Sequence, residues 1–264
     1  MEYQLKGKTA LVTGSTSGIG FAIANLLAKE GVQVIINGRS EESISRAMAM
    51  LKKENPLARV SGVAADFGDK NSVNALIEKI ETVDILINNV GIFTSQTFGD
   101  TSDEDWHNQF EVNVMSGVRL SRAFLPKMMK NNWGRIIFIS SECAQLVPED
   151  LIAYGMTKAA MLTISRGLAQ TAKGTSVTVN AIMPGSTLSE GAKRFLKDQA
   201  IKDGSTEEEV ANGFFKNVRT TSLLGRFAST EEIANTVVYL SSPLSSATNG
   251  AVWKVDGGSV PGII

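Results

Sequence analysis

The sequence predicts an α/β fold: a doubly wound parallel sheet of about seven strands with helices on both faces. Short Val- and Ile-rich runs alternate with longer amphipathic segments almost to the end of the chain, as expected when helices cover both faces of a parallel sheet. The first apolar run passes directly into a glycine-rich turn and then a helical pattern, a strand–turn–helix unit suited to a nucleotide. A chain of 264 residues with 43% hydrophobic content is ample for one large core and too short for two. Residues 1–264 are therefore read as one domain.

Residues 8–13 (KTALVT) form strand one, and Gly14-Ser15-Thr16-Ser17-Gly18-Ile19-Gly20 opens a helix to about residue 30. Glycines here permit a tight turn and close backbone approach to a phosphate. The helix start aims free N–H groups and the positive end of its dipole at the anion. The spacing is G-x-x-x-G-x-G. Residues 33–37 (QVIIN) form strand two, whose end selects between dinucleotides. An acid there would bond a ribose 2′-hydroxyl, but Gly38 and Arg39 occupy the position, and a guanidinium forks onto a 2′-phosphate. NADP is expected, with NAD as the second choice.

A helix over 40–54 begins with a Ser40 cap and early acids, and Asn55-Pro56 ends it. Strand three spans 59–65 and ends at Asp66-Phe67, where Asp66 is a candidate contact for an adenine amino group; a helix runs from 69 or 70 to about 81. Strand four, 83–89, closes on Asn88-Asn89-Val90-Gly91, two amides that either satisfy neighbouring backbone or touch the cofactor. Ser102 and Asp105 resemble a capping box, so a helix opens near 103 and runs toward 129, with Pro126 expected to kink or divide it. Asn113 lies inside it, a poor helix residue that asks for a reason. His107 reads as an exposed imidazole in the first turn.

Residues 134–141 (GRIIFISS) read as a buried strand presenting serine hydroxyls at its carboxyl end, where ligands of such sheets sit. The helix over 150–172 carries Tyr154 and Lys158, whose i, i+4 spacing places both on one face. An adjacent cation favours the phenolate and tunes the phenol for general acid/base work. Ser140 or Ser141 would hold a substrate oxygen beside it. Strand six covers 176–183. Residues 188–228 break the alternation with mixed polar and apolar content, as a lid or substrate wall does, giving a lid at about 186–228. A helix over 230–241 and a strand over 251–255 complete the chain.

A net charge of −1 gives no broad attraction for nucleic acid or anionic membrane. The first residues lack a secretory pattern and no apolar run is long enough to cross a bilayer, so a soluble cytoplasmic protein is expected. One cysteine, Cys143, and one histidine, His107, leave no cluster for a structural zinc site.

Together these residues resemble the short-chain dehydrogenase/reductase family, over nearly the whole chain, and that resemblance implies a Rossmann-like fold. Thr13-Gly14-x-x-x-Gly18-Ile19-Gly20 resembles its cofactor loop, Asn88-Asn89-Val90-Gly91 its Asn-Asn-Ala-Gly motif with Val in third place, and Ser141, Tyr154 and Lys158 its catalytic set. The thirteen-residue interval to Tyr154 selects Ser141 over Ser140, and Asn113 falls at the fourth catalytic position. The cofactor contacts so implied are Gly14, Thr16, Ser17, Gly18, Ile19, Gly20, Arg39, Asp66, Phe67, Asn89, Gly91, Tyr154, Lys158, Pro184, Gly185 and Thr187.

The resemblance implies metal-free hydride transfer between nicotinamide and a carbonyl or secondary alcohol. Tyr154 gives the proton, Ser141 holds the oxygen, Lys158 binds the nicotinamide ribose, and Asn113 positions water leading to Lys158. It also implies a homotetramer assembled through the two long helices. Cys143, Ala144, Leu146, Leu188 and the lid phenylalanines suggest a largely apolar pocket. Reduction of 3-oxoacyl thioesters on acyl carrier protein is an alternative, with Lys193, Arg194 and Lys197 as candidates for the carrier's acidic helix. A non-catalytic NADP-binding regulator would show a damaged tetrad, whereas this one is whole. A serine hydrolase lacks both a second histidine and Gly-x-Ser-x-Gly around Ser141.

Overall fold

The computed structural model describes residues 2–263. Seven parallel strands form one sheet: β1 Thr9–Val12, β2 Gln33–Gly38, β3 Val60–Ala64, β4 Ile85–Asn88, β5 Gly134–Ile139, β6 Val177–Pro184 and β7 Val252–Val255, in the order β3-β2-β1-β4-β5-β6-β7. The chain winds outward from β1 to β3, then returns to place β4 on β1's other side. That reversal is the switch point at which such sheets open a crevice for ligands.

Alternation along the strands divides the core into two layers. On β1, Ala10 and Val12 pack with helices α1 (Gly18–Lys29), α2 (Glu41–Glu54) and α9 (Thr230–Ser241). Leu11 packs on the opposite face with α3 (Lys70–Lys79), α5 (Ser116–Lys130) and α6 (Ile152–Thr171). Each strand thus needs apolar residues at consecutive positions. Leu11, Ile36, Ile85 and Ile136 are fully enclosed, each burial contributing about 1.5–3 kcal/mol before entropy is subtracted.

Helix starts follow the sequence signals. Ser40 accepts from the Ser43 N–H at 3.3 Å, Asp69 caps α3, and Ser102 with Asp105 forms the capping box of α4 (Asp103–Phe110). His107 is exposed but stands in the last turn of α4 rather than the first. The helix expected over 103–129 runs unbroken to Lys130, but its winding changes along the way: α4, a π-helical turn at Glu111–Met115, and α5. The irregularity is at Asn113, not Pro126. Proline leaves α5 undivided because its ring lies on the exposed face, where the carbonyl it strands meets water. Between β6 and α9 lie α7 (Glu190–Asp203) and α8 (Glu207–Asn217).

Candidate active site

The glycine turn is held in shape from three sides. Gly14 and Gly18 sit at φ +59° and +60°, in the left-handed region that favours glycine. At Gly20 a Cβ would stand 2.5 Å from Asn89 Nδ2 and closer still to the Gly14 oxygen. Asn89 Nδ2 donates to the Thr13 and Gly14 carbonyls at 2.9 and 3.1 Å. The Thr13 hydroxyl accepts from the N–H groups of Asn89 and Val90 at 2.9 and 3.0 Å and donates to the Ile87 carbonyl. From β2, the Asn37 side chain accepts the Gly14 N–H at 3.1 Å. The first helical N–H groups of α1 are not capped by Ser17, whose side chain makes no capping bond. They face a cavity bordered by Ser17, Ile19 and Gly20, the arrangement an anionic phosphate requires.

That cavity, about 630 Å³, extends from the α1 start across the carboxyl ends of β4, β5 and β6. Asn89 and Gly91 border it from β4, Ser141 follows β5, and Tyr154 and Lys158 enter from α6. Pro184, Gly185 and Thr187 form the wall beyond β6. At Gly185 a Cβ would lie 2.6 Å from the Asp256 carbonyl oxygen, so only glycine lets β6 end against the residues after β7. Asn113 stands behind this surface. Its carbonyl accepts the Ile92 N–H at 2.7 Å, and its amide donates to the Ile92 carbonyl at 2.8 Å and to Thr157 Oγ1 at 3.0 Å. A Cβ on Gly91 would sit 3.3 Å from Lys158 Nζ and 3.5 Å from Asn113 Oδ1, so these two polar atoms flank the same bare backbone.

The remaining cofactor candidates occupy the other end of the crevice. Arg39 is exposed after β2 and has no ion pair among the described residues. Thr16 packs its methyl where a Cβ on Gly38 would go, 2.5 Å away. Asp66 is exposed, with Oδ1 accepting the Gly68 N–H at 2.9 Å. Phe67 is 2% exposed in the core, so only its backbone can face a ligand.

Charge at the centre differs from the sequence expectation. Burial is the largest influence on both members of the pair: it pushes the Tyr154 phenol well above its ordinary value and the Lys158 ammonium down to about 8. A hydrogen bond with Ser141 pulls Tyr154 back, while Cys143 and Glu142 oppose ionisation. Desolvation penalises both charged forms, so the cation's attraction for a phenolate does not prevail. Tyr154 is a protonated donor at neutral pH. Lys158 Nζ donates to the Ile139 carbonyl at 3.0 Å, and Ser140 Oγ donates to the Lys158 carbonyl at 2.8 Å. Ser140 thus fastens the helix while Ser141 faces the cavity.

The largely apolar lining expected of the pocket is present, although Cys143, Ala144, Leu146 and Leu188 do not border it. Phe93, Phe195, Phe214 and Phe227 supply an aromatic side, but Ser95, Asp150, Glu142, Ser186 and Arg219 share the lining. Glu142 and Arg219, 77 residues apart, form a buried ion pair at 2.8 Å. Sequence reading missed both, along with Thr13 and Asn37 as braces. An acid directly after the strand-end serine was the one local signal. Arg219's stretch is itself braced from the residues after β7: the Leu224 N–H donates to the Gly257 carbonyl at 2.8 Å, and Thr221 Oγ1 donates to the Ser259 carbonyl. Among the described residues no grouping of three metal-ligating side chains occurs, and no helix is long and apolar enough to cross a membrane.

The chain is 48% identical over 260 residues to the uncharacterized oxidoreductase YvaG of Bacillus subtilis, covering 98% of each chain. It is 35% identical to the 3-oxoacyl-[acyl-carrier-protein] reductase FabG of Aquifex aeolicus, covering 98% of this chain and 99% of the other. Among solved structures, L-sorbose reductase from Gluconobacter frateurii, complexed with NADPH and L-sorbose, superposes with a TM-score of 0.94 at 32% identity, covering all of both chains. Residues 8–200 match the family described as short chain dehydrogenase, and the protein belongs to that family of oxidoreductases.

Proposed function

We propose that the protein is an NADP-dependent carbonyl reductase in which Tyr154 is the proton donor. The observation that carries this is the convergence of Tyr154, Ser141 and Lys158 on one cavity that begins at the uncapped start of α1. The residues fit the dinucleotide. Bare backbone at Gly14, Gly18 and Gly91 leaves room along its path, α1 offers N–H groups for its phosphates, and Arg39 offers a free guanidinium for a 2′-phosphate. The solved sorbose reductase binds NADPH, which favours the phosphorylated cofactor here. When bound, the nicotinamide supplies or accepts hydride.

The chain's own residues supply position and protons. Tyr154 transfers its phenolic proton to the substrate oxygen as negative charge grows there. Ser141 hydrogen-bonds that oxygen, and stabilisation is greatest where the charge is largest. Lys158 holds the nicotinamide ribose and limits the charge left on Tyr154. Asn113, fixed on Ile92, orients water toward Lys158 so that the proton is replaced from solvent. A phenol held protonated favours reduction over oxidation.

Residues 186–228 act as the lid of a single-domain enzyme, supported by the cavity-facing positions of Phe195, Phe214 and Arg219. Acyl thioesters are the second reading, favoured by the exposed Lys193, Arg194 and Lys197 beside Phe195 on α7. A homotetramer packed through α4–α5 and α6 is supported by the exposed Phe110 and Met156, and NADPH consumption fits a cytoplasmic setting. Following NADPH absorbance against ketones and 3-oxoacyl thioesters tests the reading. Oxidation with at least one carbonyl is expected; no oxidation with any of them, by protein that binds NADPH, refutes it.

A further inference from the structure

Glu142 presents a feature that catalysis by the four residues above does not use. Its side chain is buried at the cavity wall, directly after Ser141. Oε1 accepts from Arg219 Nε at 2.8 Å and from Ser186 Oγ at 3.3 Å, whereas Oε2 is buried and has no donor among the described residues. A buried carboxylate oxygen without a donor is costly, and such groups regularly mark places where a ligand supplies the missing hydrogen bond.

Arg219 holds this side chain in place. It reaches across from the stretch after α8, its guanidinium 5.7 Å from the Phe214 ring, and carries 11% side-chain exposure. The pair is neutral as a unit. Asp150 and Lys158, the other two charged residues of the lining, balance in the same way, so the pocket has no net pull on an anion. A neutral molecule with hydroxyl donors meets both needs: it satisfies Oε2 and brings no charge to be desolvated.

Resting on the reading of the site as a carbonyl reductase, we propose that Glu142 is a specificity-determining residue that accepts a hydrogen bond from a substrate hydroxyl near the reacting carbonyl. Arg219 is its positioning residue, and the substrates are neutral polyhydroxylated ketones. An alkyl ketone leaves the carboxylate oxygen unpaired and is rejected on that account. A keto acid adds a negative charge beside Glu142 and is disfavoured for a different reason.

Steady-state kinetics with NADPH and three probes, L-sorbose, 2-hexanone and 5-keto-D-gluconate, test this. Parent enzyme should prefer L-sorbose to both others. In Glu142→Gln the ratio of kcat/KM for L-sorbose to that for 2-hexanone should fall roughly tenfold to hundredfold, the loss of a hydrogen bond to a charged group, and the fall should lie in KM. Because that variant strands the Arg219 charge, the double variant Glu142→Gln/Arg219→Gln, which leaves no unpaired cation, should show the same fall. An unchanged ratio in both variants, with all rates dropping together, assigns Glu142 a structural role and overturns the inference. A parent preference for 5-keto-D-gluconate overturns the neutral-substrate class, and a parent preference for 2-hexanone overturns the hydroxyl contact. Parent enzyme that binds NADPH but reduces none of the three, nor any other carbonyl, removes the catalytic reading beneath it.

Discussion

Helices α1 and α8 stand at opposite ends of the site, yet α1 encloses Gly20, Ala22, Ile23, Ala24, Leu27 and Ala28, and α8 encloses none of its residues. Around α1, the Gly14 N–H is answered by Asn37 and the Thr13 and Gly14 carbonyls by Asn89, while Thr13 Oγ1 ties the turn to the end of β4. Around α8, Phe214, Phe215 and Phe227 meet mainly one another, with ring centroids 5.0–5.2 Å apart, and all three are only half-buried. The cofactor end is over-determined, so one altered atom spreads strain through it. The substrate end rests on a few replaceable contacts, so change there alters selection before it alters folding.

The largest expected effect lies on the boundary between the two. Tyr154→Phe removes the donor without disturbing its packing, so kcat should fall by roughly 10²–10⁴-fold while NADPH affinity, read by fluorescence titration, stays close to the parent's. Comparable turnover would place the proton elsewhere. Next comes Arg39→Asp at the rigid end: loss of a charge-assisted contact should lower kcat/KM for NADPH by about tenfold or more and favour NADH. Persistence of the NADPH preference would locate the 2′-phosphate away from β2.

Lys158 gives a pH signature. Its proton is lost near pH 8, so kcat/KM should decline above that value by about tenfold per pH unit, and Lys158→Arg should move the decline upward. Stability should move the other way. Between about 8 and the ordinary 10.5 the unfolded chain holds a proton that the folded chain has released. Stability therefore rises with pH through that window, relative to Lys158→Met. A flat difference in Tm between parent and variant would contradict the burial of this cation.

Gly20→Ala sharpens the contrast in stability. The new methyl meets the Gly14 carbonyl and Asn89 Nδ2, so denaturant unfolding should show a loss of about 1–3 kcal/mol, with weakened NADPH binding. Phe214→Ala should be the mildest, below about 1 kcal/mol because the ring is half-exposed, with its main effect on KM for the carbonyl substrate. A larger stability loss at Phe214 than at Gly20 would reverse the comparison.

What the sequence disclosed follows the same division. Strands were legible because burial on both faces demands uninterrupted Val and Ile, as in Ile35–Ile36 and Ile136–Ile137, and helix starts because caps are local chemistry, as at Ser40 and Ser102. Glycine spacing disclosed the phosphate turn for the same reason. The π-turn around Asn113 was not legible, because α and π windings differ by one residue of register with no compositional mark. Nor was the ion pair in the pocket wall, which depends on Arg219 meeting Glu142 across 77 positions. The upward push on the Tyr154 phenol was not legible because i, i+4 spacing reports proximity to Lys158 but says nothing of how much water reaches either group.

The Gly257 and Ser259 carbonyls that hold Leu224 and Thr221 make the stretch after β7 a strut beneath the arginine loop. A label or surface tether attached there would be transmitted to the guanidinium and alter the pocket wall it forms with Glu142. The opposite rim, at exposed Leu57 beyond α2, offers an attachment point that leaves selectivity alone.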